Sequence, residues 1–495
     1  MKKFVALMCV IAFVIGIVGC AWGGVPIDAT NFPDPAFRSH ILATQDWDEE
    51  GIKGFLDDSE IMGCNGINVC NWGIHSLQGL DFFPYMTGFA AHNNYLTEFN
   101  VSNLPYLCDL HCGDNPNLSS VTLGSKPNLH ILYMYNDDLC DIDLSQCPSL
   151  VTLCLGGNHF SEIDISNCPN LEELEMWNNS LTTLDLSSCT VLRRLNVDGN
   201  KLEALDVSPC PELSELRCSN NLLTELDITR NTALTMLTCF GNQLTNLDVS
   251  KNTALTTLEC FANQLQSLDV TSNTALTELS CNENQLKVLN LNKNTAITKL
   301  QCYENQLTEL DLSHNTSLTQ VECHSQKRKG LKIKETSQGY KVSMKDYVSH
   351  PENIDADSIS PQPISYNKTT GIVTFSEPIK ELRYNYITHS PNNDLMDVTI
   401  TNPMIISALE RSGFNIDGLI ISDMTENGYL NSNGNTLTES DISDLSYSDY
   451  GKLGFVADGN SRLIIRVQTD KPGTVSFSFN DDIRSEEHTS ELQSR

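Results

Sequence analysis

Leu181, Leu202, Leu223, Leu244, Leu265, Leu286 and Leu307 recur every 21 residues without a slip. Leu118, Leu139 and Phe160 carry the period backwards, and Leu96 and a degenerate unit around Ile74 join it at a spacing of 22. About twelve units therefore fill residues 74–323. A fixed period of this length specifies stacked repeats, each burying its apolar side only against its neighbours.

The best-formed unit runs Leu255-Thr-Thr-Leu-Glu-Cys-Phe-Ala-Asn263-Gln-Leu265-Gln-Ser-Leu-Asp-Val-Thr-Ser-Asn273. Its first half fits the leucine-rich-repeat template L-x-x-L-x-L-x-x-N-x-L, with Cys260 in place of the third leucine. Alternation in a short strand points Leu258 and Cys260 inward and Thr257, Glu259 and Phe261 outward. The fold expected is a leucine-rich-repeat solenoid with a curved parallel β-sheet. The Asn at 179, 200, 221, 242, 263, 284 and 305 turns the chain after the strand, and stacked amides there predict a ladder.

The phase of the repeat also sorts the 18 cysteines. Cys112, Cys218, Cys239, Cys260, Cys281, Cys302 and Cys323 share the inward strand position. Cys147, Cys168, Cys189 and Cys210 share a second turn position, where later units carry Asn231, Asn252, Asn273, Asn294 and Asn315. Parallel Cβ vectors in such a column suit packing better than disulfides, and spacings of 21 leave no compact metal-ligand pair. Cys64 and Cys70 lie outside the array and are a candidate disulfide. Cys108, Cys140 and Cys154 have no role in the pattern.

The unit L-T-x-L-x-C-x-x-N-x-L-x-x-L-D-V-S-x-N-T-A resembles the repeats of the internalin J-like bacterial surface proteins, over about 250 residues. The resemblance implies a cysteine ladder in the core and a cell-surface protein that binds host or neighbouring-cell ligands, often as an adhesin. The Cys-Pro turns between 147 and 211 and the absence of a visible C-terminal sorting signal depart from that pattern.

Met1-Lys2-Lys3 followed by the apolar run Phe4 to Val18 reads as a secretory signal within residues 1–23. Two processing sites are open. Ile17-Val18-Gly19-Cys20 resembles a bacterial lipobox with Cys20 as the lipidated residue, and Ala21-Trp22-Gly23 offers ordinary cleavage. No other stretch is apolar for long enough to span a membrane. At the other end, residues 484–495 resemble the in-frame translation of a sequencing-library adapter, so the natural protein is expected to continue differently after residue 483.

Residues 24–73 read as an N-terminal cap with a helix entered through Asp34 and Pro35. Asp46, Asp48, Glu50 and Glu60 form an EF-hand-like candidate calcium set, with spacing broken by an insertion of three residues. No other cofactor is implied. Residues 324–402 read as a β cap domain over the last repeat, and residues 403–483 as a β-sandwich-like domain.

Function is expected on the outward strand positions, where the template leaves residue choice open. Tyr135, Trp177, Phe240, Phe261 and Tyr303 fall in one outward column, with Tyr133, Arg194 and Arg217 beside it. Exposed aromatics and Arg anchor protein interfaces, whereas aromatics packed against cross-strand neighbours stiffen a sheet. Glu173, Glu175, Glu215, Glu259 and Glu278 on the same face make a basic partner plausible.

The chain carries 63 acidic against 31 basic residues, which argues against nucleic acid as a partner. The basic run Gln326-Lys327-Arg328-Lys329 is too short to reverse that. His75, His92, His111, His130 and His159 fall at unequal repeat positions and read as solvated. The recurrent Asp-x-Ser has no registered His, and no P-loop, Rossmann fingerprint or nucleophile elbow occurs, so the chain reads as a non-enzyme. The expected function is a secreted or surface binding protein that takes a protein or glycan ligand on the concave face. The alternatives are the targeting portion of a larger exported enzyme and a scaffold of the cell envelope.

Overall fold

A computed structural model describes residues 24–46 and 54–401, and five further short strands between 420 and 466. The signal segment with Cys20, Asp48, Glu50 and residues 484–495 lie outside the described residues. The chain forms two compact units, residues 1–263 and 264–495.

In the first unit, ten three-residue strands from Gly66–Asn68 to Thr257–Glu259 pair in parallel, each with the next. The register advances by one whole repeat per strand, so Leu174 faces Leu195 and Leu195 faces Leu216. The middle residue of every strand is buried, and the flanking ones face outward, as the alternation requires. The parallel sheet begins at Gly66, inside the stretch read as the cap, because the unit around Ile74 has its strand upstream.

After each strand the chain turns through a left-handed residue. Asn71, Asn93, Asp114, Asn136, Gly157, Asn178, Gly199, Asn220, Gly241 and Ala262 all have φ between 50° and 67°. Asn and Gly dominate because they tolerate this region, whereas a Cβ on other residues is crowded there. Except after Asn71 and Asn136, where Trp72 and Asp137 follow, the next residue is the ladder asparagine. Asn179 Oδ1 accepts the Phe160 N–H at 3.0 Å, and its Nδ2 donates to Leu155 O at 3.0 Å and Met176 O at 3.1 Å. One buried side chain thus closes its own turn and stitches it to the preceding coil. The same pattern recurs at Asn158, Asn200, Asn221 and Asn242.

The second turn position is fully buried whether Cys or Asn occupies it. Asn231 Nδ2 donates to Val207 O and Cys210 O, both at 2.8 Å, whereas a cysteine there offers at most a weak thiol bond, as from Cys168 Sγ to Cys147 O at 3.7 Å. One repeat before Cys147 the same place holds Lys126, also fully buried, whose Nζ donates to Val101 O at 2.8 Å and Leu123 O at 2.5 Å. Burial pulls this amine down to about 8. The Asp-x-Ser recurrence is structural: Asp185 Oδ1 accepts the Ser187 N–H at 2.9 Å, as Asp164 and Asp206 do for Ser166 and Ser208.

The cap helix α1, Pro35–Thr44, starts at Asp34, whose Oδ1 accepts from Ala36 and Phe37. Asp34 Oδ2 accepts the His75 N–H at 2.7 Å, which fastens the helix to the first coil. Phe32, Phe37 and Ile41 seal the coil's open end. Helix α2, Asp58–Gly63, opens on a capping box between Asp57 and Glu60.

In the second unit, strands Glu278–Ser280, Lys299–Gln301 and Gln320–Glu322 pair in parallel, again one repeat per strand. Gln326 then takes the ladder place, accepting from Leu307 N at 3.0 Å and donating to Cys302 O at 2.8 Å. The chain enters a two-sheet β domain directly from this rung. One sheet has the order Gln326–Lys329, Leu395–Thr401, Glu381–Ile387, Ile354–Ser360, and the other Lys334–Thr336, Gly339–Ser343, Ile372–Phe375, Ser365–Asn367. Val342, Val373, Leu382, Tyr384 and Ile400 are buried in this domain.

The domain is locked onto the last coils. Tyr384 OH donates to Thr308 O at 3.1 Å, and Ser349 N donates to Glu309 Oε2 at 2.6 Å. The sequence reads residues 324–402 as a β domain, and residues 330–333 cross from one of its sheets to the other. Beyond residue 402, Leu453–Ala457 pairs with Ser461–Arg466, and that strand also pairs with Ile420–Ile421. The remainder of residues 403–483, read from sequence as a β-sandwich-like domain, lies outside the described residues.

Candidate ligand-binding face

Three outward columns cover each strand face, and the eight residues singled out by sequence all stand in them. Arg194 is exposed, and Tyr133, Tyr135, Trp177, Arg217, Phe240, Phe261 and Tyr303 are half-buried. None belongs to the core, which is complete behind them with Leu132, Leu174, Leu237, Leu258 and Leu300 at or near zero exposure.

The rings do not stand up from the sheet. Trp177 lies flat across the preceding coil, where Gly156 leaves room; a Cβ there would sit 2.2 Å from the indole. Tyr135 covers Gly113 in the same way, at 3.1 Å from a Cβ placed there. Phe240 and Phe261 stack with centroids 4.3 Å apart and planes at 7°. In the second unit Tyr303 stacks on His324 at 4.9 Å. Cross-strand packing therefore rigidifies these aromatics while leaving one side of each accessible, so stiffening and ligand anchoring are not exclusive.

The arginines are already engaged. Arg194 bridges Glu173 at 3.1 Å and Glu215 at 3.3 Å, and Arg217 pairs with Glu215 at 2.6 Å. Parallel strands in register put residues one repeat apart side by side, and acids and bases alternate along that row. Glu175 accepts from Asn196 Nδ2 at 2.8 Å, and burial raises its carboxyl. Asp198 is also raised by burial, against the bond from Ser219 N at 2.5 Å. The acidic surface read from sequence is thus partly neutralised in the first unit. In the second unit, burial and then the carboxylates of Glu283, Glu322 and Glu304 raise the Tyr303 phenol.

Two histidines depart from the expectation that all were isolated on the surface. His92 and His111 lie 5.7 Å apart, with His92 5.5 Å from Tyr135 and His111 4.9 Å from Tyr133. Burial and then the neighbouring His92 lower the His111 imidazole. The two occupy different outward columns of adjacent coils, so the difference in phase that suggested scatter is a diagonal step on the sheet. A two-dimensional plot of the repeat would have shown it.

The inward cysteines behave as packing groups. Cys112, Cys218, Cys239, Cys260, Cys281 and Cys302 are fully buried and Cys323 nearly so, and burial raises every thiol with a resolved shift, Cys260 and Cys323 to about 12. A thiol held protonated is a poor nucleophile and metal ligand. Cys64 and Cys70 are both free, so the disulfide between them is not formed. Cys154 sits at an outward strand position yet is buried under its neighbours, its thiol raised to about 11.

Of the calcium set, Asp46 Oδ2 accepts the Gly54 N–H at 2.8 Å and Glu60 Oε2 accepts the Asp57 N–H at 2.9 Å. Among the described residues no group of three or more His, Cys, Asp or Glu side chains is arranged to hold a metal ion, and no helix is long and apolar enough to cross a membrane.

Stacked parallel coils, an asparagine ladder and an inward cysteine column define a leucine-rich-repeat solenoid of the cysteine-ladder type. Among solved structures, the chain is similar to the functional domain of InlJ from Listeria monocytogenes, described as including a cysteine ladder. That match has 25% identity and a TM-score of 0.50, over 77% of this chain and 99% of that one. It is also similar to the internalin InlF of Listeria monocytogenes, at 23% identity and a TM-score of 0.54, over 62% of this chain and 93% of that one. No protein-family model and no curated protein matches.

Proposed function

We propose that the protein is an exported, adhesin-like binding protein that takes a protein or glycan ligand on its outward strand face. Tyr133, Tyr135, Trp177, Arg194, Arg217, Phe240, Phe261 and Tyr303 supply the contacts. The observation that carries this reading is the row of rings laid on a complete core with one side left open. Pre-packed aromatics offer contact area at little entropic cost, which is the property of interface anchors. The Arg–Glu row between them fixes register and selects a partner of complementary charge.

Export follows from the reading of residues 1–23, and the surface or the secreted medium is where such a ligand is met. Replacing Trp177, Phe261 and Tyr303 together by Ser tests the proposal. The variant should keep the circular-dichroism spectrum and melting temperature of the parent and lose binding to intact target cells. Undiminished cell binding by a folded variant would refute it.

A further inference from the structure

The basic run that sequence reading set aside acquires a setting in the β domain. Residues 327–345 hold six lysines and Arg328 against the single acid Glu335, in a chain whose net charge is −32. Gln326–Lys329 and Lys334–Thr336 are edge strands of the domain's two sheets. The connection from Lys329 to Lys334 spans no more than about 18 Å, a distance that one extended polymer bridges.

On the first edge Lys327 and Lys329 are exposed. Lys327 stands in register with Thr399, and Thr399 with Arg383, so two exposed cations flank a threonine across three strands. Of the acids on that face, Glu381 is taken by Arg383 at 2.6 Å, and exposed Asp397 accepts the Ser325 N–H at 2.7 Å. On the second edge exposed Lys334 stands directly opposite Lys341 on the adjoining strand. Lys341 Nζ donates to Gln338 Oε1 at 3.1 Å, a neutral acceptor. Among the described residues no carboxylate pairs with Lys327, Lys329 or Lys334. Arg328 points inward to Thr308 Oγ1 and takes no part.

Lysines on an edge strand guard it against pairing with another sheet, and one per edge does that work. That account leaves the Lys334–Lys341 pair unexplained, because like charges directly opposite destabilise a sheet. We infer that the paired edges form a binding site for a linear anionic glycopolymer, whose sulfate or phosphate groups fall between the lysines. A thin linear chain fits two edges in a row. A broad anionic surface, such as duplex DNA or a lipid bilayer, would face the acidic remainder of the protein and be repelled.

Heparin and poly(glycerol phosphate) are the probes, one for each anionic group. The full chain should be retained on immobilised heparin at low salt despite its net charge, bind one or both polymers in solution, and be released as salt rises. The variant Lys327→Gln/Lys329→Gln/Lys334→Gln/Lys341→Gln should keep the parent's oligomeric state and melting temperature. Its affinity should fall about fivefold per lysine, on the order of several-hundredfold in all. The tighter of the two polymers identifies the anionic group. Failure of the parent to bind either polymer, equal binding by the variant, or tighter binding to duplex DNA or to phosphatidylserine vesicles would overturn the inference. Aggregation of the variant with retention intact would assign the lysines to edge protection alone. The Trp177, Phe261 and Tyr303 variant should bind both polymers as the parent does, so this site and the strand face fail or stand separately.

Discussion

Asp137 is the rung at which the asparagine ladder can be broken or mended with one atom. It stands where every neighbouring coil of the first unit has Asn, and its Oδ1 accepts the Asn115 N–H at 2.7 Å. Its Oδ2 is buried with no hydrogen-bond partner. At the equivalent atom Asn158 and Asn179 carry an NH2 that donates to two carbonyls. An ionised carboxylate cannot donate there, so burial raises Asp137 from 3.8 to about 8.

The folded chain holds a proton that the unfolded chain releases above pH 3.8, so stability is greatest below that pH and is lost as pH rises through about 8. At 1.36 kcal/mol per unit, the three units between about pH 4 and 7 correspond to roughly 4 kcal/mol as an upper figure. Asp137→Asn removes this dependence and adds donors worth about 1 kcal/mol each. Urea unfolding followed by Trp fluorescence near pH 5 and about pH 8.5 should show a small gain for the variant at the lower pH and a gain of several kcal/mol at the higher. A variant no more stable than the parent at high pH, or a difference that does not change with pH, would refute the reasoning.

The left-handed turn column supplies a second prediction. Gly199→Ala puts a Cβ at φ 67° and 2.3 Å from Asn178 Oδ1, and should cost about 1–2 kcal/mol or more, whereas Ala262→Gly relieves that crowding and should be neutral to stabilising by up to about 1 kcal/mol; urea midpoints report both. Iodoacetamide should label exposed Cys140 in the folded protein and leave Cys218, Cys239 and Cys260 unmodified until it is denatured, as read by peptide mass. Calcium should leave the melting temperature unchanged, because Asp46 and Glu60 already accept backbone N–H groups; a rise with added calcium would restore the calcium reading.

Much of the solenoid was legible because its information is local and repeated. Leu258 and Cys260 point inward by alternation alone, and a period of 21 states which residues share a column. The same arithmetic placed Trp177 and Phe261 outward and assigned Cys147 and Asn231 to one packed site. It could not decide what those residues do once outward. The strand Ile354–Ser360, with Asp355, Asp357 and Ser358 on it, is not legible in the sequence because its pattern is polar and only its partner strand defines it.

The repeat by itself thus determined the coil, the ladder and the division of the cysteines. The folded chain decided that Arg194 is spent on Glu173 and Glu215, that His92 and His111 meet diagonally, and that Lys334 faces Lys341. Those outcomes depend on register between strands, and on which residues a three-dimensional stack brings within a few ångströms. Asp137 shows the difference in a single residue. In sequence it is one more acid in an acidic chain; in the stack its position deprives it of water and keeps its proton at neutral pH.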